Sequence, residues 1–306
     1  MPAAAVQKLL AKNRLISGCT QDRVASIPPT LVGEISTRGG PPGGGAASQT
    51  MPWGVKRVGG GANSSGTAWI IDTGIDRNHP DLNVSGTGNV DFIAGGAVAN
   101  DPNGHGTHVA GIIGAINNSF GVVGVAAGAR LVSVRVLDQY GNGSDSDVIA
   151  GIDHVITNGA PGDVINLSLI TDPLATLDQA VVNAAKSGFY IAIAAGNSSA
   201  NAGNYSPARA GCAEAGCERI YTVSAIDSKG VFARYSNWGN PPIDYAEPGS
   251  SVLSTYKNGT YATLSGTSMA APHLAGILLL HGGTPPAAGG QATRDPDGTA
   301  DPIGVN

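Results

Sequence analysis

From Ala68 onward the chain alternates short apolar runs with longer stretches of helical period, and that alternation leaves few architectures open. Ala68 to Ile71, Arg130 to Val136, Val164 to Leu169, Tyr190 to Ala194 and Tyr221 to Ala225 read as strands. The stretch opened by His105, then Ser146 to Asn158 and Leu174 to Ser187, read as helices. The expected fold is therefore three-layer α/β, a mostly parallel central sheet with helices on both faces. With 306 residues, 42% of them apolar, one large domain with appendages can fill a core without disulfide staples.

Three blocks carry chemistry. In Leu264 to Gly276, L-S-G-T-S-M-A-A-P-H-L-A-G, Ser268 stands where a tight Gly-Thr turn enters a buried helix. Its backbone N–H is then among the unpaired donors of the first turn, which suit an oxyanion. Such a serine is either a cap on a closely packed helix or a nucleophile, and a nucleophile needs a base and an orienting acid elsewhere. Both partners occur upstream. Asp72 ends the buried run Ala68 to Ile71, at the carboxyl edge of a sheet, and His105 opens the helix in N-G-H-G-T-H-V-A-G. The order Asp, His, Ser is one of three known orders of the triad, and Gly266 to Ala270 lacks the second glycine of the esterase elbow.

These blocks resemble the subtilase family of serine endopeptidases (subtilisin and proteinase K) over roughly Gln49 to His281. The resemblance implies the subtilisin-like version of the three-layer fold. It also implies a side-chain oxyanion donor at Asn197, which follows the strand Tyr190 to Ala194. Asn117 to Val122 is similar to the loop of the family's tight calcium site. Position by position, the ligands would be Gln49, Asp81 and Asn118 side chains with the carbonyls of Ile116, Phe120 and Val122. The implied substrate-binding residues are Ser168, Leu169 and Ile170 on one wall, Ala194, Ala195 and Gly196 on the other, and Tyr205 at the base. Ile170 stands where the family generally has glycine, so the expected pocket is apolar and narrower than usual. His108, one turn past His105, makes an H-x-x-H pair without the glutamate or third ligand of a zinc site, and is expected to be structural.

Residues 1–47 are expected to be a leader or propeptide remnant with a Gly-rich linker from Gly39 to Gly45, and 48–306 the catalytic domain. A short helical pattern runs from Val6 to Leu15. The family usually carries a larger inhibitory prodomain at this place. Lys8, Lys12 and Arg14 interrupt the apolar stretch that a lipoprotein box at Cys19 would need. Cys212 and Cys217 either close a small disulfide or remain free thiols. A formal charge of -5, without long runs of either sign, argues against nucleic-acid or anionic-membrane partners. The expectation is a secreted, monomeric, calcium-binding serine endopeptidase acting on polypeptides. An inactive peptide-binding protein on the same fold, and a peptide ligase or esterase using the same acyl-enzyme, are the competing readings.

Overall fold

The computed structural model describes residues 21–36, 48–96, 99–211, 216–284 and 286–306; the pattern at Val6 to Leu15, the run Gly39 to Gly45, Cys19 and Cys212 lie outside them. In chain order the strands are β1 (Val24–Ser26), β2 (Leu31–Ser36), β3 (Ala62–Asn63), β4 (Thr67–Asp72), β5 (Val90–Asp91), β6 (Ala126–Ala127), β7 (Arg130–Arg135) and β8 (Asn142–Ser144). They continue as β9 (Val164–Leu167), β10 (Tyr190–Ala194), β11 (Ile220–Ile226), β12 (Ile243–Pro248), β13 (Val252–Tyr256), β14 (Thr260–Ser265), β15 (Ala287–Gln291) and β16 (Pro302–Val305). The helices are α1 (Trp53–Arg57), α2 (His105–Gly114), α3 (Asp145–Asn158), α4 (Ala175–Lys186) and α5 (Thr267–Leu280).

Seven strands form one parallel sheet in the order β12-β11-β10-β9-β4-β7-β5. Its central strands are apolar on both faces because helices cover both. Trp69, Ile71, Ile165, Leu167, Ile191 and Ile193 meet Val148 and Ile152 of α3 and Leu177 and Val181 of α4 on one side. Their neighbours Ala68, Ile70, Val164, Ala192 and Ala194 meet Val109 and Ile113 of α2 and Ala271 and Leu274 of α5 on the other. This is the three-layer arrangement expected, and each strand or helix read from the sequence lies within about three residues of its structural bounds. Helix α5 is buried from Thr267 to Leu278 and so runs through the core rather than along its surface.

Residues 21–36 are paired to the rest of the chain. β1 pairs antiparallel with β8, and β2 pairs antiparallel with β14 as the third strand of a β13-β14-β2 sheet. Three residues are too few to show a period, so β1 has no signature of its own. Its conformation is imposed by open edges of the domain it lies on.

Candidate active site

Adjacent strands deliver the site. β10, β9 and β4 lie side by side, and their carboxyl ends run into Asn197, Ser168 and Asp72 respectively. Helices α2 and α5, which start at His105 and Thr267, pack together over the same edge.

His105 Nδ1 lies 2.8 and 3.0 Å from the two carboxylate oxygens of Asp72, with both residues buried. The close approach depends on Gly106, where a Cβ would run into the Gly74 carbonyl oxygen. The entry to α2 is held by Asp101, whose Oδ1 accepts from Thr73 Oγ1 and the Asn103 and Gly104 amides and whose Oδ2 accepts from the Thr107 amide and hydroxyl. Burial raises the Asp101 carboxyl above the usual range and these bonds oppose the shift. Sequence reasoning passed over Asp101, which stands three residues before the cap position Gly104 and so carries no cap signal of its own.

Asn197 is fixed from behind. Its Oδ1 accepts from the Thr267 amide at 2.9 Å and hydroxyl at 2.8 Å, and Thr267 Oγ1 in turn accepts from the Gly196 amide at 3.0 Å. This network settles which end of the amide is nitrogen and turns Nδ2 outward, where it donates to the Pro29 carbonyl at 2.9 Å. Thr267 was not singled out in the sequence.

Ser268 is the second residue of α5, at the positive end of the helix. Four residues on, Pro272 has no N–H for the Ser268 carbonyl, and the Ser168 hydroxyl takes that place at 3.0 Å, itself held by Asn166 Nδ2 at 2.9 Å. Ser268 Oγ points to the Ser168 carbonyl at 3.5 Å, and His105 Nε2 has no hydrogen-bond partner among the described residues. Ser268 and His105 are thus not joined in this state. His108 sits one turn below, fully buried, its Nε2 shared between the Val252 and Ala262 carbonyls, and burial brings its pKa down to about 3.

Ile170 exchanges two 2.9 Å backbone bonds with Ser26, and its Cδ1 lies 3.7 Å from where a Cβ on Gly196 would be. Its side chain therefore faces the opposite wall, Ala194 to Gly196. Leu169 is buried in the first core beside Ala25, and Tyr205 borders that core next to Ser206, which bridges Thr171.

Of the expected calcium residues, Gln49 Nε2 reaches the Ile116 carbonyl at 2.7 Å, the Val122 carbonyl at 3.1 Å and Asn118 Oδ1 at 3.4 Å. Asn118 Nδ2 reaches Asp81 Oδ1 at 2.7 Å. Oxygens of three residues thus converge on one amide hydrogen-bond donor, and turning the Gln49 amide over would add its own oxygen to the group. That donor set fits a hard cation. The Phe120 carbonyl is not among the oxygens Gln49 reaches; its amide donates to Asn118 Oδ1 at 2.9 Å. Among the described residues no three His, Cys, Asp or Glu side chains converge on a metal position. Cys217 is disulfide-bonded.

A parallel three-layer sheet whose carboxyl edge gathers an Asp–His pair, a helix-start serine and an outward asparagine amide defines the subtilisin-like class of serine hydrolase. The subtilase family model matches residues 69–283, and the chain belongs to that family. It is 44% identical over 241 residues to Subtilisin Savinase of Lederbergia lenta, covering 76% of this chain and 84% of that one. It is 39% identical over 274 residues to Alkaline serine exoprotease A of Vibrio alginolyticus, covering 85% of this chain but 47% of the relative's length. With M-protease of Shouchella clausii the match is 44% identical and spans 76% of this chain and 60% of that protein. A crystal structure of a cold adapted subtilisin-like serine proteinase superposes with a TM-score of 0.70 at 35% identity, covering 82% of this chain and 96% of the other.

Proposed function

We propose that the protein is a serine endopeptidase that hydrolyses polypeptides through an acyl-enzyme. His105 Nε2 takes the Ser268 Oγ proton, and Asp72 holds the imidazole at Nδ1 and stabilises its charged form. Asn197 Nδ2 with the Ser268 N–H binds the oxyanion. The observation that carries this reading is the Asn197 amide, locked by Thr267 and already gripping a peptide carbonyl beside the start of the Ser268 helix. Ser268→Ala should abolish labelling by a fluorophosphonate probe and casein hydrolysis; labelling that survives would remove Ser268 from the role. The open Ser268–His105 contact favours the alternative, a peptide-binding protein without turnover, and the same probe decides between them.

The specificity reading is an apolar pocket narrowed by Ile170, supported by the position of its Cδ1 against Gly196. For calcium, Gln49, Asp81 and Asn118 with the Ile116 and Val122 carbonyls would hold the ion, which would supply structural stability rather than catalysis. Residues 1–47 are read as a leader absent from the mature catalytic unit, lost by cleavage between Gly39 and Ser48. The site of action is read as extracellular, with the protein a monomer; among the described residues no helix is long and apolar enough to cross a membrane.

A further inference from the structure

The last hairpin of the chain closes on a corner of carboxylates that the catalytic site does not use. Its strands β15 and β16 are joined through Asp295 to Asp301, reading D-P-D-G-T-A-D. The Ala292 amide donates to the Asp301 carbonyl at 2.8 Å and closes the base of this loop. Ala292 and Ile303 pack with Ile226, Phe232 and Ala246 in a small core of their own. The hairpin is thereby seated on β11 and β12, the outer edge of the main sheet.

Two buried oxygens are left over at this corner. Asp301 is 0% exposed; the Ser224 hydroxyl donates to its Oδ2 at 2.5 Å, while its Oδ1 has no hydrogen-bond partner among the described residues. Asp295 Oδ2 is buried and unpartnered in the same way. The two side chains adjoin, and the Asn240 amide borders Asp301. Asp297 Oδ1 accepts from the Thr299 amide at 2.7 Å and adds a third charge; Asp244, held by the Thr222 amide at 2.8 Å, adds a fourth that Asp301 feels. No ion pair among the described residues includes any of the four. Burial, with the charges of Asp301 and Asp297, pushes Asp295 up to about 6. A buried carboxylate oxygen without a donor is costly, and an orphaned one calls for a proton, a water or an ion. One shared proton would cancel a single charge of the four. A divalent cation between the adjoining carboxylates would satisfy both orphaned oxygens and cancel two.

We propose that the Asp295 and Asp301 carboxylates hold a hard divalent cation, of calcium's class, which fastens the C-terminal hairpin to the edge of the sheet. The site is separate from the Gln49 group and independent of the endopeptidase reading. Only oxygen donors and one amide meet there, a set that suits calcium rather than zinc or copper. Asp301 Oδ1 and Asp295 Oδ2 are the protein's charged ligands; the Asn240 side-chain oxygen and water complete a shell of six to eight oxygens. Asp297 is engaged by the Thr299 amide and serves through its charge, so the site has two acids in contact with the ion and not three.

Two measurements test this on the full chain carrying Ser268→Ala, which prevents self-digestion, after metal is stripped with a chelator. In equilibrium dialysis against calcium chloride, Asp295→Asn and Asp301→Asn should each bind one ion fewer than the parent, whether or not the Gln49 group also binds. Equal numbers in all three would overturn the proposal. In amide hydrogen exchange, calcium at about a hundredfold over its Kd should slow the opening that frees the Ala292 amide by about a hundredfold. The slowing should vanish in Asp301→Asn and persist in Gln49→Ala. Slowing that survives Asp301→Asn, or that Gln49→Ala abolishes, would place the ion elsewhere and overturn the assignment. A parent indifferent to calcium, with Asp295→Asn exchanging at the same rate, would replace the ion by a proton shared between the two carboxyls.

Discussion

At the scale of single residues, the site is built from groups that have been denied alternatives. Asn197 Oδ1 is occupied twice by Thr267, so its amide nitrogen has one direction left to serve. Asn197→Ala should leave KM nearly unchanged and lower kcat by about 10² to 10³, the range measured when subtilisin's own oxyanion-hole asparagine is removed; steady-state kinetics on a peptide anilide checks it. A large rise in KM with kcat intact would mean that the amide binds ground state and transition state alike. His108 offers a pH test. Its pKa is lowered from 6.5 to about 3, chiefly by burial. Between those values the unfolded chain takes a proton that the native chain refuses. The stabilising contribution is therefore complete above pH 6.5 and declines by up to about 1.4 kcal/mol per pH unit as acid is added. His108→Asn should be less stable than wild type at pH 7 yet lose less between pH 7 and pH 4.5, as read from urea midpoints. An equal loss in both proteins would assign the acid sensitivity to other groups.

At the scale of elements, legibility followed burial and period. β4, β9 and β10 were readable because a run such as Trp69-Ile70-Ile71 has one structural use, and Asp72, His105 and Ser268 stood out because each sits at or beside an element's end. What the sequence did not disclose were contacts between elements with no local period. The Thr73 bond to Asp101 at the foot of α2, Thr267 behind Asn197, and the Ser168 hydroxyl standing in for the N–H that Pro272 lacks each join residues distant in sequence. β1 was missed for the same reason, since its partner edge is more than a hundred residues away. The Ile170 segment gives this scale its prediction. Ile170→Gly should open the space against Gly196 and shift preference before the cut toward large aromatics by about 1–3 kcal/mol in kcat/KM, measured with a peptide library. An unchanged profile would mean that Ile170 does not shape the pocket.

At the scale of the whole molecule, the hydrogen bonds among Gln49, Asp81, Ile116 and Asn118 tie residue 49 to loops far along the chain. An ion bound there at about a thousandfold over its Kd adds about 4 kcal/mol, so a strong chelator should lower Tm by roughly 10 °C. A Tm that does not move, with no metal found by elemental analysis, would dismiss the ion. The pairing of Leu31 with Ser265 has a consequence of another kind, in time rather than space. At about 5–20 residues per second, Leu31 waits roughly 10–50 seconds for the strand that receives it to be made. Ser268 follows Ser265 by only three positions, so the strand that receives Leu31 and the serine beside it leave the ribosome almost together. A nascent chain too short to have β14 also lacks Ser268, so while the molecule is being made there is no interval in which it carries Ser268 without β14.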